Sequence, residues 1–232
     1  MVAGVDSASD EDDPSFTADR LTIVFTSDRN GNDDIFIGTR PDPDGDFIVV
    51  PADTVNSLDD ESSPELSADG TTLLFTSSRS GEYDVYTSTR PPGGVFGVPT
   101  RVPALSGTST NENDVALSPD GLTVLVVRGS AFLRARRASP GDAWDPPVAI
   151  AGVAFGTSPS APSLDAAGDI YFQAGGSQRD IFLARVQGAS YADAVPVTEL
   201  ATSERESGPC VSADETYMMF ARSGQIMEST RD

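Results

Sequence analysis

The chain has 232 residues, with 15 basic and 36 acidic side chains, a formal net charge of −21, no histidine and one cysteine. So acidic a surface repels phosphate groups, which excludes nucleic acid as a partner. No apolar run approaches the roughly 18 residues of a membrane span, so we expect no membrane insertion. Without histidine the chain has no Ser-His-Asp or Cys-His arrangement and no zinc site of the usual kind. Every basic residue is arginine, and this Lys-free, Asp-rich bias is typical of proteins adapted to high salt.

A short motif recurs five times along the chain. Its apolar anchor residues are separated by 50, 51, 47 and 47 positions and are Phe16, Leu66, Leu117, Leu164 and Val211. Self-similarity at such a period indicates stacked or radial repeat units. We expect one domain over residues 1–232, built from five repeats: 10–58, 59–109, 110–156, 157–203, and 204–232 together with 1–9.

Each repeat has the sequence pattern of four short strands. The anchor ends a first strand, and a turn such as Asp69-Gly70 leads into an apolar run such as Thr72–Thr76. A third strand is predicted at segments like Asp84–Thr87 and a weaker fourth near Phe96–Val102. Radial repetition of such units protects their sheet edges, so the predicted fold class is all-β, a five-bladed β-propeller of four-stranded antiparallel blades, with a linear solenoid as the alternative.

The last blade lacks a fourth strand of its own. The chain ends just after the third strand of the last repeat, so the N-terminal segment Val2–Val5 is predicted to close that blade. Those residues align with the tail of the expected strand, which predicts either a short last blade or a natural chain that begins further upstream. The first ten residues carry no positive region followed by a long apolar region, so no signal peptide is present in the chain as given.

The second repeat carries a recognisable pattern. Residues 61–86 read Glu-x-x-Pro-x-Leu-Ser-x-Asp-Gly-x-x-Leu-x-Phe-x-Ser-x-Arg-x-Gly-x-x-Asp-Val-Tyr, which resembles the TolB-type, WD-like β-propeller repeat of bacterial proteins. The first repeat matches from Glu11 to Phe36, and the third keeps Leu-Ser-Pro-Asp-Gly. The resemblance implies a propeller and a periplasmic or extracellular location. Proteins of this type include scaffolds, peptidases and sugar-degrading enzymes, and the TolB-type domain has six blades where five are counted here.

Acidic residues recur five positions before the anchors. Four repeats carry glutamate there, at Glu11, Glu61, Glu112 and Glu206, whereas the fourth repeat carries Pro159. A ring of carboxylates at a channel mouth would bind Ca²⁺ or a cationic group, and candidate ligand-binding residues are these four with Arg29 and Arg79. Glu11, Asp12 and Asp13 form a candidate metal site, with calcium as the cofactor.

The same four repeats have an arginine just after the second strand. These residues are Arg29, Arg79, Arg128 and Arg222, while the fourth repeat has Ala174-Gly175-Gly176 there. Because both members are lost together in the fourth repeat, we favour structural Glu–Arg pairs over a ligand site. The pairs are Glu11 with Arg29, Glu61 with Arg79, Glu112 with Arg128 and Glu206 with Arg222. The segment Asp42–Asp46 resembles the start of a calcium loop, but its bidentate glutamate is missing, which favours a solvated turn.

Three functional hypotheses remain, and none comes with an assigned catalytic residue. The favoured one is a non-enzymatic binding or scaffold propeller, a monomer, that presents the loops at its channel mouth to a protein or a small polar or cationic ligand. The alternative is a glycoside hydrolase that uses carboxylates among the four glutamates at the same mouth. A purely structural module of a larger envelope protein is a third option.

Overall fold

The computed structural model describes residues 1–151 and 155–231. Within those ranges the regular structure consists of β-strands. No helix in them has the length and apolar character needed to cross a membrane.

Five antiparallel sheets follow one another along the chain as the blades of a propeller, so the predicted fold class is confirmed. Blade 1 contains β1 (Glu11–Phe16), β2 (Thr22–Ser27), β3 (Asp34–Thr39) and β4 (Ile48–Pro51). Blade 2 contains β5 (Glu61–Leu66), β6 (Thr72–Ser77), β7 (Asp84–Thr89) and β8 (Thr100–Arg101). Blade 3 contains β9 (Glu112–Leu117), β10 (Thr123–Arg128), β11 (Ala131–Arg136) and β12 (Val148–Ala149).

The last two blades depart from this plan. Blade 4 contains β13 (Ser160–Leu164), β14 (Ile170–Ala174), β15 (Asp180–Ala184) and β18 (Val195–Pro196), with a small hairpin, β16 (Val186–Gln187) and β17 (Ser190–Tyr191), inserted before its outer strand. The sequence did not predict that hairpin. Blade 5 contains β19 (Glu206–Val211), β20 (Tyr217–Arg222) and β21 (Gln225–Thr230).

The N-terminal segment completes blade 5 without forming a strand. The backbone N–H of Val2 donates to the carbonyl of Ile226 at 2.9 Å, and the side chains of Val2 and Val5 are buried. Val102 in blade 2 makes the same bond to Val85 at 2.8 Å, at the end of the outer strand. The segment therefore supplies the tail of a fourth strand beside β21.

Apolar side chains fill the space between neighbouring blades. The described residues form five hydrophobic clusters, and each joins residues of two adjacent blades. For example, Phe25 of blade 1 shares a cluster with Met219 of blade 5, which closes the ring. Burial of a large apolar side chain contributes about 1.5–3 kcal/mol, so these layers are the main source of stability.

The innermost strands line a central channel and are bulged. Register shifts occur between Asp12 and Ser15 in blade 1 and between Ser62 and Glu65 in blade 2, and the other blades have similar shifts. At the bulge the backbone is left-handed, with φ of 50° at Asp13 and 49° at Ser63. A bulge breaks the two-residue alternation of side chains, so residues before and after it face differently from those of a regular strand.

Beyond the bulge, side chains latch neighbouring blades together around the channel. Ser15 Oγ accepts the backbone N–H of Leu66 at 3.0 Å, and Ser163 Oγ accepts that of Val211 at 3.0 Å. In blade 2 a carboxylate takes this role, since Glu65 Oε1 accepts the N–H of Leu117 at 3.3 Å. Each latch satisfies a backbone donor of the next innermost strand.

Candidate functional site

The four predicted glutamates lie inside the blades, each against an arginine. All four side chains are fully buried, and the shortest oxygen-to-nitrogen distances are 2.8 Å for Glu11–Arg29, 2.9 Å for Glu61–Arg79, 2.8 Å for Glu112–Arg128 and 2.9 Å for Glu206–Arg222. These are charge-assisted contacts within one blade, from the start of its first strand to an arginine at the end of its second strand or in the loop just after it.

Each pair also holds the chain segment that enters its blade. The carboxylate of Glu61 accepts the backbone N–H of Ser57 at 2.6 Å, the hydroxyl of Ser57 at 2.7 Å and the hydroxyl of Ser77 at 2.6 Å. Arg79 Nη2 in turn donates to the carbonyl of Val55 at 2.7 Å. The oxygens of Glu61 are thus occupied by protein donors, which leaves the carboxylate unsuited to bind a ligand or to act on a sugar.

A second set of acidic residues does face the channel. The residue two positions after each glutamate, or after Pro159 in the fourth repeat, lies at or beside the bulge. These positions form a ring of Asp13, Ser63, Asp114, Ala161 and Gly208. Ser63 Oγ donates within this ring and lies 3.2 Å from Asp13 Oδ2 and 3.1 Å from Asp114 Oδ1. The space beside the ring has a volume of about 20 Å³ and is also lined by Glu65. That is room for about one water-sized occupant.

A wider cavity opens from the ring to the face where the innermost strands begin, which we call the upper mouth. It has a volume of about 500 Å³, and Asp12, Asp13, Asp114 and Arg179 line it. Asp12 Oδ1 accepts the hydroxyl of Ser207 at 2.9 Å. Arg179 brings a positive charge to the rim, so the acidic groups outnumber the cation that lines this cavity.

The channel carboxyls are electrostatically unsatisfied. Burial, together with the charges of Asp12 and Asp114, raises the pKa of Asp13 well above its usual value. Burial also raises the pKa values of Asp12 and Asp114, and it raises the pKa of Glu65 to about 8. Asp114 is 7% exposed, and no described residue donates a hydrogen bond to its Oδ2. A positive charge at the ring would relieve this strain.

The structure brings only part of the predicted acidic set to the upper mouth. Asp12 and Asp13, which the sequence put in the candidate metal site, line the upper mouth, whereas Glu11 is turned into its blade. Asp114 and Glu65 were not predicted. Aligning the five repeats at the position two residues after the glutamate would have placed Asp114 beside Asp13.

Comparisons with known proteins find similarity at the level of the fold. No family model matches the chain, and no curated protein matches it. Among solved structures, a TolB-type protein of Agrobacterium tumefaciens is 15% identical, with a TM-score of 0.56, and the match covers 93% of this chain and 71% of that one. A periplasmic gluconolactonase of Pseudomonas aeruginosa is 18% identical, with a TM-score of 0.54 and coverage of 94% and 68%.

A third solved structure is less similar in sequence and more similar in fold. The α-L-arabinofuranosidase of Podospora anserina, solved in complex with cellotriose, is 10% identical, with a TM-score of 0.63 and coverage of 96% of this chain and 88% of that one. At such identities the comparisons show the propeller fold, which TolB-like proteins share. Because propellers carry both binding and catalytic functions, function has to be argued from the site.

Proposed function

We propose that this chain is a non-enzymatic binding propeller that holds a positively charged group, an ammonium or guanidinium of a protein partner, at its upper mouth. The observation that carries the proposal is the buried Asp114 carboxylate, whose Oδ2 has no donor among the described residues, beside Asp13 where both line the mouth cavity of about 500 Å³. A buried anion without a counter-charge is costly, and a cationic group entering from the mouth would offset that cost.

The wider mouth fits the same occupant. Its volume of about 500 Å³ accommodates a side chain of arginine size, and the rim residues Asp12 and Arg179 offer both signs of charge to the polar atoms around it. The net charge of −21 would steer a basic partner towards the protein and raise its rate of association. A monomeric scaffold in the periplasm is consistent with the TolB-type pattern at residues 61–86.

The alternative, a glycoside hydrolase, gains support from the likeness to the arabinofuranosidase. Its candidate carboxylates are fully buried against arginines, however, and a retaining or inverting mechanism needs two carboxyl groups that reach the glycosidic bond. In the channel pair Asp13 and Asp114, one carboxylate oxygen of each residue is bridged by the hydroxyl of Ser63. We therefore favour binding over catalysis.

Asp114→Asn is expected to weaken binding of a cationic peptide by about tenfold or more, because it removes a buried negative charge and leaves the side-chain shape unchanged. The measurement is isothermal titration calorimetry with a short peptide containing several arginines, at fixed ionic strength. Glu82→Gln is the matched control, since it removes one negative charge from an exposed loop residue that does not line the mouth cavity.

Equal peptide affinities of wild type and Asp114→Asn would refute the site. A loss of affinity in Glu82→Gln as large as that in Asp114→Asn would also refute it, because it would show attraction by net charge alone. A panel of chromogenic glycosides tests the alternative. We expect no turnover from wild-type protein, and turnover that is lost in Glu61→Gln while the folded state persists would favour the hydrolase.

A further inference from the structure

A separate group of carboxylates lies at the opposite end of the molecule, between blades 4 and 5. Asp165 and Asp169 belong to the turn between β13 and β14, and Glu215 belongs to the equivalent turn between β19 and β20. One oxygen from each of the three lies within 4.8 Å of the others. The two turns touch, because the backbone N–H of Ala166 donates to the carbonyl of Ala213 at 3.1 Å.

The other repeats carry no such cluster at these positions. In blade 2 the equivalents of Asp165, Asp169 and Glu215 are Ser67, Thr72 and Gly70, and in blade 3 they are Ser118, Thr123 and Gly121. There the serine hydroxyl accepts the backbone N–H of the threonine, as Ser67 does from Thr72 at 2.9 Å. Asp165 Oδ1 performs the same task for Asp169 at 2.9 Å. The turn needs only one acceptor, so the second oxygen of Asp165 is surplus to it.

That second oxygen is unpartnered. Asp165 is 2% exposed, and none of the described residues donates a hydrogen bond to its Oδ2. The neighbouring carboxylates are engaged, since Arg185 Nη1 lies 2.6 Å from Asp169 Oδ2 and the hydroxyl of Tyr171 donates to Glu215 Oε2 at 2.7 Å. A buried carboxylate oxygen that faces two further carboxylates needs a positive partner, either a proton shared with the Glu215 carboxyl or a bound cation.

Arg185 is the counter-ion of this cluster, since it lies 2.6 Å from Asp169 and 3.2 Å from Glu215, but it lacks two contacts that its equivalents in other blades make. Arg40, Arg90 and Arg137 each donate from Nε to a carbonyl of the turn, at 2.8, 2.7 and 2.8 Å, and each lies over an aromatic ring. Arg185 makes neither contact within the described residues, and its side chain is 52% exposed. An exposed arginine can swing into solvent at small cost.

We propose that Asp165, Asp169 and Glu215 bind a divalent cation, Ca²⁺, which displaces Arg185 from the carboxylates. Hard oxygen ligands in irregular geometry suit Ca²⁺ better than Mg²⁺, which demands a near-ideal octahedron. Because Arg185 competes, the affinity falls in the weak range of extracellular calcium modules, with a Kd of about 10⁻⁴–10⁻³ M. Bound calcium would clamp blade 4 to blade 5, and blade 4 is the repeat in which Pro159 and Ala174 replace the Glu–Arg pair.

Calcium titration of the wild-type protein, by calorimetry and by thermal unfolding at constant ionic strength, tests the site. We expect one saturable site and a rise in Tm of about 4 °C at roughly tenfold excess over Kd. Asp165→Asn should abolish both. Arg185→Gln should tighten binding by about tenfold, since it removes the competing charge and keeps all three ligands.

The variants separate this site from the channel. Asp114→Asn should bind calcium with the wild-type affinity, and Glu82→Gln controls for the general attraction of cations to an acidic protein. If Asp165→Asn does not fold, Arg185→Gln still decides the matter. Any one of three results would overturn the proposal: unchanged or weaker calcium affinity in Arg185→Gln, no saturable binding in wild type at millimolar calcium, or full binding in Asp165→Asn. None of these results bears on peptide binding at the upper mouth.

Discussion

Glu61→Gln is expected to lower the free energy of unfolding by about 3 kcal/mol, because removing one partner of a buried ion pair leaves the other without compensation. Glu61 is fully buried and lies 2.9 Å from Arg79, whose side chain is 20% exposed. The substitution keeps the volume but removes the charge that the arginine and three further donors are arranged to meet. Urea unfolding followed by circular dichroism measures the change.

The matched control is an exposed pair in the same protein. Glu199→Gln breaks the contact between Glu199 and Arg231, whose side chains are 54% and 47% exposed, and should cost less than about 1 kcal/mol. The double variant Glu61→Gln/Arg79→Gln should lose less stability than the sum of its single changes, since neither charge is then left alone. Equal losses in Glu61→Gln and Glu199→Gln would contradict a structural role for the buried pair.

The repeat pattern was enough to predict the fold. The signals are local: turn residues, a β-branched or apolar run, and a regular spacing of anchors such as Leu66 and Leu117. Five near-equal periods indicate radial closure. The outer strands were the weakest prediction and are also short in the structure, as in Thr100–Arg101. The hairpin at Val186–Tyr191 was missed because it belongs to one repeat alone.

The candidate site was harder to predict because it depends on side-chain direction. In a regular strand Glu11, Asp13 and Ser15 would share a face, and all three would line the channel. The bulge between Asp12 and Ser15 breaks that alternation, so Asp13 faces the channel while Glu11 is buried in the blade. A proline at the next position, Pro14, is the trace of the bulge in the sequence, but it gives no direction for the flanking side chains.

The cluster at Asp165 was missed for a different reason. Its three carboxylates come from two turns 50 residues apart, Asp165 and Glu215, and each looks like an ordinary polar turn residue. Their proximity depends on how closely blades 4 and 5 pack. Glu215 takes φ of 60° where blades 2 and 3 use Gly70 and Gly121, but blade 1 has Arg20 at the equivalent position with φ of 59°. The loss of glycine there therefore did not single out Glu215.

Glu65 gives the second large prediction, a dependence of stability on pH. Burial raises the pKa of its carboxyl to about 8 from a usual value of 4.5, so the folded state prefers the protonated form. The stabilisation from this group is therefore complete below about pH 4.5 and is lost as the pH rises through 8. The carboxyls of Asp13 and Asp114 shift in the same direction, so the protein should be more stable at pH 5 than at pH 8.

Glu65→Gln should make the protein more stable than wild type at pH 8, on the order of 2 kcal/mol, and should flatten the pH dependence between 5 and 8. A glutamine oxygen can still accept the N–H of Leu117, so the latch to blade 3 remains while the buried charge is gone. Urea unfolding of both proteins at pH 5 and pH 8, with Glu82→Gln as the exposed control, measures the difference. Parallel pH profiles for wild type and Glu65→Gln would show that the carboxyl ionises freely in the channel. A flatter profile for the variant would mean that an ionisable side chain links blades 2 and 3 at a position where blades 1 and 4 use serine. A cation that neutralises the channel should then stabilise the fold most at high pH.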